Sequence, residues 1–174
     1  MSFVDRISPF LMSAGVFALD RVTKIVIRNR VKPWDNYTVI PGFFSIVHTE
    51  NRGAAFGLFS ESSSEWRTLL LVALALGVML FITTLLVQPR RNGLVPTLTL
   101  RTGLALVLGG ALGNVYDRVL SGAVTDFLEF YFGSYQFPTF NIADSAITIG
   151  AGLLLLDMWR GRHRHHEKHV SQTD

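Results

Sequence analysis

The stretch from Gly109 to Ser145 reads GGALGNVYDRVLSGAVTDFLEFYFGSYQFPTFNIADS, and the rest of the chain is organised around it. It leaves one apolar run, crosses a polar segment and enters a second apolar run. The polar groups at the edges of these runs are Asn114, Asp117, Arg118, Asp126, Asn141 and Asp144. Ionisable groups bordering membrane-grade sequence are unfavourable unless they are paired or functional. The stretch therefore predicts an active site that contains two carboxylates, Asp126 and Asp144.

The composition favours a membrane protein. Of the 174 residues, 49% are hydrophobic and 17% are charged, whereas a soluble domain carries about 25% charged residues. There is no cysteine, so neither a disulfide framework nor a thiolate zinc site is available. No basic stripe with interleaved aromatic residues accompanies the net charge of +3, which argues against a nucleic-acid partner. We predict no metal and no cofactor.

Four apolar segments are long enough to cross a bilayer, which takes about 20 helical residues. The predicted spans cover residues 7–27, 67–87, 96–115 and 140–159. A signal peptide is the alternative for the first segment. No A-x-A-like cleavage site follows it, however, and the charged residues 20–24 continue it at helical spacing. We therefore predict a retained first span.

The loop between the first two spans contains strand-like sequence. Tyr37–Ile40 and Phe43–Thr49 are rich in β-branched and aromatic residues, with a Pro41-Gly42 turn between them. Ala54–Phe59 is a further strand candidate. The expected fold is an all-α integral membrane protein with four transmembrane helices, a small extracytoplasmic β-sheet, and a short surface helix or lid in the first outer loop. Residues 1–174 form a single membrane domain, with outer loops 28–66 and 116–139, a cytoplasmic loop 88–95 and a tail 160–174.

The distribution of basic residues orients the spans. The loop between the first two spans has four basic and four acidic residues, so the positive-inside rule places both termini in the cytoplasm, together with Arg6, Arg90, Arg91, Arg160, Arg162, Arg164 and Lys168. Odd spans then end, and even spans begin, on the outer side. The unusual polar residues consequently reach one bilayer level from four parts of the chain: Asp20 and Lys24, Asn51 and Gly53, Asn114 to Asp126, and Asn141 with Asp144.

Two carboxylates in a partly dry site share a proton, so one can activate water while the other protonates a carbonyl oxygen. This is the aspartic-protease pattern. For Asp144 alone, a helix N-cap is as good an interpretation as catalysis. Asp20 and Lys24 have the i,i+4 spacing of a structural ion pair, and Arg118 can pair with Asp117. We interpret His48 as a surface residue, since no second histidine lies at ligand spacing.

Four sequence blocks together resemble the bacterial lipoprotein signal peptidases (signal peptidase II). The blocks are LDRVTK at 19–24, NRGAAFG at 51–57, GGALGNVYDR at 109–118 followed by GAVTDF at 122–127, and FNIADS at 140–145. Arg21, Tyr116 and Thr125 depart from the residues common in the family, but none of them removes a functional group.

The resemblance implies an aspartyl endopeptidase that removes signal peptides from diacylglyceryl-modified prolipoproteins, just before the lipidated cysteine. It implies a multi-pass protein of the bacterial cytoplasmic (inner) membrane, with its active site near the outer face. Asp126 and Asp144 take the catalytic roles. The supporting positions are Asp20, Lys24, Asn51, Gly53, Gly110, Asn114, Asp117, Arg118, Gly122, Asn141 and Ala143. The expected partners are prolipoprotein substrates and membrane lipid, and the protein is expected to be a monomer.

Two other functions fit the residues. Intramembrane aspartate and asparagine also mark a small proton- or ion-coupled transport subunit, although its polar residues should extend to the bilayer midplane. A non-enzymatic lipid-binding or assembly factor would use the acidic site only for packing. The distance between Asp126 and Asp144, on which the mechanism depends, does not follow from the sequence.

Overall fold

The structure, a computed structural model, describes residues 3–33, 35–53, 65–87 and 97–170. Four helices and four strands follow one another in the order α1 (Phe3–Arg30), β1 (Asn36–Ile40), β2 (Phe44–Asn51), α2 (Glu65–Val87), α3 (Leu98–Ser121), β3 (Val124–Phe132), β4 (Tyr135–Gln136) and α4 (Ile142–Val170). Each predicted span overlaps one of the four helices. The predicted strand at Ala54–Phe59, the surface helix or lid and the whole 88–95 loop lie outside the described residues.

Three of these helices contain segments long and apolar enough to cross a membrane: Thr68–Val87, Leu98–Ser121 and Ile142–Gly161. The remaining helix, α1, is also long enough, with 28 residues, but its second half carries Asp20, Arg21, Lys24 and two further arginines. Of the apolar window in α2, only 6% is buried within the protein. Apolar side chains exposed along a whole helix are stable where lipid rather than water surrounds them.

The central helix is α3, which packs against each of the other three helices. Glycines allow the close approach of the helix backbones. A Cβ atom added at Gly103 would lie 2.9 Å from the carbonyl oxygen of Gly150, and one at Gly110 would overlap the carbonyl oxygen of Ala143. Small residues at such crossings let helices pack by direct backbone contact. The crossing at Gly110 holds the first turn of α4 against α3.

The strands form one antiparallel sheet in the order β1-β2-β3-β4. The predictions of β1 and β2 are confirmed, and the predicted outer loop 116–139 contains the end of α3 and two further strands, which were not predicted from the sequence. Helix α3 continues to Ser121 and ends at Gly122, whose φ of 70° suits a glycine C-cap. The following segment, VTDFLEFYF, is rich in β-branched and aromatic residues, and it pairs with β2 from Phe44↔Phe130 to Asn51↔Val124.

An irregularity in β2 shapes the end of the sheet nearest the helices. The register with β3 shifts between Ile46 and Thr49, so that Thr49 pairs with Asp126. His48 lies in this bulge, where it is buried, and its Nδ1 is 2.8 Å from the carbonyl oxygen of Val31. The prediction that His48 is a surface residue is therefore wrong. The bulge aims the end of β2, including Asn51, toward Asp126.

Candidate active site

Asp126, the first of the two predicted carboxylates, lies on β3 with 1% of its surface exposed. Its Oδ1 accepts a hydrogen bond from Nδ2 of Asn141 at 2.7 Å. Its Oδ2 accepts one from Nδ2 of Asn51 at 3.0 Å. Thr49 Oγ1 donates to the backbone carbonyl of the same aspartate at 3.1 Å. Neutral donors therefore satisfy both oxygens of a deeply buried acid.

Asp144, the second carboxylate, belongs to a reciprocal cap at the start of α4. Asn141 Oδ1 accepts from the backbone N–H of Asp144 at 2.9 Å, and Asp144 Oδ2 accepts from the backbone N–H of Asn141 at 3.3 Å. This is the geometry of a capping box, so Asn141, not Asp144, is the N-cap residue. The other oxygen, Oδ1, accepts from Nδ2 of Asn114 at 2.7 Å.

Two asparagine amides connect the carboxylates. Nδ2 of Asn141 also donates to Oδ1 of Asn114, at 3.3 Å. The same Oδ1 accepts from Nζ of Lys24 at 3.1 Å. Because a lysine ammonium can only donate, the oxygen of Asn114 must face Lys24 and its amino group must face Asp144. The structure thus brings together polar residues that the sequence predicted to share one bilayer level.

The surroundings favour a proton on this pair. Burial, and after it the neighbouring charge of Asp144, raise the pKa of Asp126 to about 7. The hydrogen bonds from Asn51 and Asn141 act in the opposite direction, as does the charge of Lys24. Two interacting carboxylates titrate as a unit. Near neutral pH the pair can therefore hold one proton, which provides a general base and a general acid together.

Behind the carboxylates lies a buried ion cluster centred on Asp117. Nζ of Lys24 is 2.9 Å from Oδ2 of Asp117 and 2.8 Å from Oδ2 of Asp20, which confirms the predicted pairing of Asp20 with Lys24. Arg21 and Arg28 also form ion pairs with Asp117. The predicted pair between Asp117 and Arg118 is wrong, because successive residues of a helix point in different directions. Asp117 faces α1.

Arg118 instead connects α3 to the segment that follows β2. Its Nη2 donates to the carbonyl oxygen of Gly53 at 2.8 Å. The backbone N–H of Gly53 in turn donates to Oδ1 of Asn51 at 2.9 Å, and the amino group of Asn51 donates to Asp126. Arg118 thereby places a cation beside the two carboxylates and braces the residue that contacts Asp126.

A cavity of about 390 Å³ opens beside this site between α2, α3 and α4. One end is polar and is lined by Asn114, Arg118 and Asp144. The remainder is apolar, with Leu71, Val78 and Ile147 among the lining residues. A ligand with an apolar body and a polar reactive group matches this division.

Other predicted positions play packing roles. Gly110 and Ala143 meet at the crossing of α3 and α4, and the backbone N–H of Ala143 donates to Oδ1 of Asp20 at 3.1 Å. Gly122 is the C-cap of α3. Sequence reasoning missed the part played by Arg28 and Thr125, which contact each other. The signal was available in α1, since residues 21, 24 and 28 recur at the three- and four-residue spacing of one helix face.

The fold and the site define the class of the protein: a membrane enzyme of the aspartic peptidase type. Its two carboxylates are connected by hydrogen bonds through the side-chain amides of Asn114 and Asn141, and they lie beside an apolar cavity. The family follows from comparison with known proteins. The chain belongs to the signal peptidase II family, since the family model described as Signal peptidase (SPase) II matches residues 12–160.

Relatives and solved structures agree with this assignment. The lipoprotein signal peptidase of Solibacter usitatus (strain Ellin6076) is 50% identical over 149 residues, which cover 86% of this chain and 88% of the relative. That of Maridesulfovibrio salexigens is 40% identical over 152 residues, covering 87% and 95% respectively. A structure described as a bacterial membrane enzyme solved by the in meso method at 2.3 Å resolution matches with a TM-score of 0.76 and 31% identity, covering 88% of each chain. These findings give no support to a transport subunit.

Proposed function

We propose that the protein removes the signal peptide from diacylglyceryl-modified prolipoproteins, cleaving just before the lipidated cysteine, with Asp126 and Asp144 activating the attacking water. The observation that carries this proposal is the amide bridge between the two carboxylates at the polar end of an apolar cavity. Membership of the signal peptidase II family agrees with it, and so do relatives named lipoprotein signal peptidases.

In the proposed reaction, the ionised carboxylate of the pair removes a proton from water as the water attacks the scissile carbonyl carbon. The protonated carboxyl group donates its proton to the carbonyl oxygen, which becomes a hydroxyl of the tetrahedral intermediate. As the intermediate collapses and the C–N bond breaks, the carboxyl group that took the proton from water donates it to the leaving amine, and the other carboxylate accepts a hydroxyl proton as the carbonyl re-forms. The raised pKa of Asp126, about 7, supports the required state with one proton on the pair near neutral pH.

The asparagines hold this geometry without adding charge. Asn141 and Asn51 each donate to Asp126, while Asn114 donates to Asp144. A cation in their place would stabilise both carboxylates in the ionised form and remove the general acid. Arg118 lies beside the site but its Nη2 donates to Gly53, so we assign it the role of steadying the outer loop and balancing developing negative charge.

The cavity supports a lipid-anchored substrate. Its apolar walls are contributed by α2, α3 and α4, and α2 exposes Leu69, Leu70 and Leu74 on its surface. Each methylene of an acyl chain or apolar side chain buried there contributes about 0.8 kcal/mol. We propose that this apolar anchoring sets the depth of the substrate, and so brings the peptide bond beside the lipidated cysteine to Asp144.

The proposed topology has four spans in a single membrane domain, with both termini in the cytoplasm and the site near the outer face of the bacterial cytoplasmic membrane. The length of α1 supports its role as a span. So do Arg21, Lys24 and Arg28, since each pairs with the buried Asp117 of α3. We propose a monomer, which is supported by a site assembled within one chain.

Cleavage of a defined substrate tests the proposal. Purified protein in lipid or detergent is incubated with a diacylglyceryl-modified prolipoprotein peptide and with the same peptide lacking the lipid. We expect cleavage before the cysteine only in the lipidated peptide, and loss of cleavage in both Asp126→Asn and Asp144→Asn. The matched control is Glu50→Gln, which replaces an exposed carboxylate on β2. Full activity in either aspartate variant would contradict the two-carboxylate mechanism.

A further inference from the structure

Arg28, in the last turns of α1, forms a bridge that the mechanism above does not use. Its Nε donates to Oγ1 of Thr125 at 2.7 Å, and its Nη2 donates to Oδ1 of Asp117 at 3.0 Å. The two acceptors belong to different elements, β3 and α3, and each is 1% exposed. One guanidinium group therefore connects three elements at the base of the site.

Thr125 is the residue directly before Asp126, and its position affects the carboxylate in two ways. The peptide bond that joins the two residues fixes the origin of the Asp126 side chain. The carbonyl oxygen of Thr125 also accepts from Nδ2 of Asn141 at 3.4 Å, and the same Nδ2 donates to Asp126. A displacement of Thr125 would therefore move both Asp126 and the amide that holds it.

The other end of the bridge is firmly anchored. Asp117 is held by Lys24 at 2.9 Å and also pairs with Arg21, whose guanidinium carbon lies 4.3 Å from the centre of the Tyr116 ring. Because Asp117 already has these partners, the contact with Arg28 is not needed to neutralise it. A planar guanidinium can direct donors to two acceptors in a fixed geometry, which a lysine ammonium on a flexible stem cannot reproduce.

We propose that Arg28 is a positioning residue for the peptidase reaction: through Thr125 it fixes the place of Asp126 relative to Asp144. The inference rests on the proposed catalytic role of Asp126. Arg28 forms no hydrogen bond with Asp126 among the described residues, so its effect is on geometry. Small misplacements of a catalytic group reduce the rate of the chemical step while leaving substrate binding in place.

Paired substitutions test this role. Thr125→Val removes the hydroxyl acceptor and keeps the side-chain shape, whereas Thr125→Ser keeps the hydroxyl. Arg28→Met removes both contacts, and Arg28→Lys keeps the charge. Arg30→Gln is the matched control, because Arg30 is exposed at the end of the same helix. We measure kcat and KM on the lipidated peptide, together with the midpoint of thermal unfolding for every variant.

We expect kcat to fall on the order of tenfold in Thr125→Val and Arg28→Met, with KM unchanged, since misplacements of about 1 Å cost up to about 100-fold. Arg28→Lys should not restore kcat, and Thr125→Ser and Arg30→Gln should resemble the wild type. The double variant Arg28→Met/Thr125→Val should be no slower than Arg28→Met alone, because both changes break one connection.

The outcomes separate this proposal from the previous one. If Asp126→Asn is inactive but Thr125→Val keeps the wild-type kcat, Arg28 does not act through Thr125 and the positioning role is overturned. A lower unfolding midpoint with unchanged kcat would assign Arg28 a purely structural role, which also overturns it. If Asp126→Asn itself is active, the proposed mechanism fails. Should Arg28→Met not fold, Thr125→Val decides the matter.

Discussion

Replacing Asp126 with asparagine tests how strongly the site disfavours an ionised carboxylate. The change should affect protein stability as well as activity. The carboxyl group is 1% exposed, and burial together with Asp144 raises its pKa from 3.8 to about 7. Between these values the folded protein holds a proton that the unfolded chain has released. Rising pH therefore favours the unfolded state, and stability that is fully present below pH 3.8 is lost as the pH approaches 7.

The size of the effect follows from the same shift. From pH 5 to the folded pKa of about 7 the loss is roughly 3 kcal/mol, at about 1.4 kcal/mol for each unit. Asparagine cannot ionise, so Asp126→Asn should gain this amount relative to the wild type between pH 5 and pH 8. Its amide also loses an acceptor for Asn51 or Asn141, at about 1 kcal/mol, but that loss does not depend on pH.

Equilibrium unfolding in mixed micelles, followed by tryptophan fluorescence at pH 5 and pH 8, measures the difference between the two proteins. Titration of groups that do not interact with Asp126 cancels in this difference, and Glu50→Gln gives the baseline for an exposed carboxylate on the neighbouring strand. We expect the variant to be inactive yet the more stable protein at pH 8. A difference in unfolding free energy that is constant from pH 5 to pH 8, or that changes in favour of the wild type as the pH rises, would refute the reasoning.

Two further predictions concern packing and buried charge. Gly110→Ala should lower stability by about 1–3 kcal/mol, because the added methyl group would overlap the carbonyl oxygen of Ala143. Gly152→Ala should not lower stability, because the added methyl group would meet no atom within 4 Å. Thermal unfolding compares the two variants. Lys24→Met should destabilise the protein by about 3–5 kcal/mol, as expected when a buried ion pair loses one partner, and adding Asp20→Asn should restore part of the loss. An unchanged unfolding midpoint in either destabilising variant would contradict the packing described above.

The meeting of the polar residues could be predicted from the sequence because span direction alone sets bilayer level. Asp20 and Lys24 form the ion pair that their spacing predicts, and Asn114 and Asn141 contact the carboxylates. Hydropathy places residues along the membrane normal but says nothing of rotation about a helix axis. For that reason Asp117 and Arg118, adjacent in sequence, were paired wrongly.

The segment between α3 and α4 was harder to predict. Val124–Phe132 has strand-like composition, but it follows a helix whose end depends on a glycine cap, and it pairs with β2 far away in sequence. Neither local periodicity nor composition indicates that β3 pairs with β2. His48 was misjudged for the same reason, since the end of α1 and a bulge in β2 bury it together.

The double use of Asn141 has a consequence for biogenesis. This one side chain begins α4 and holds Asp126, so the last helix and the reactive centre are completed in the same event. On the proposed mechanism, a nascent chain whose final segment has not yet entered the membrane lacks both Asp144 and the cradle for Asp126. On that mechanism, cleavage requires the start of α4 and the position of Asp126 to be set together by Asn141.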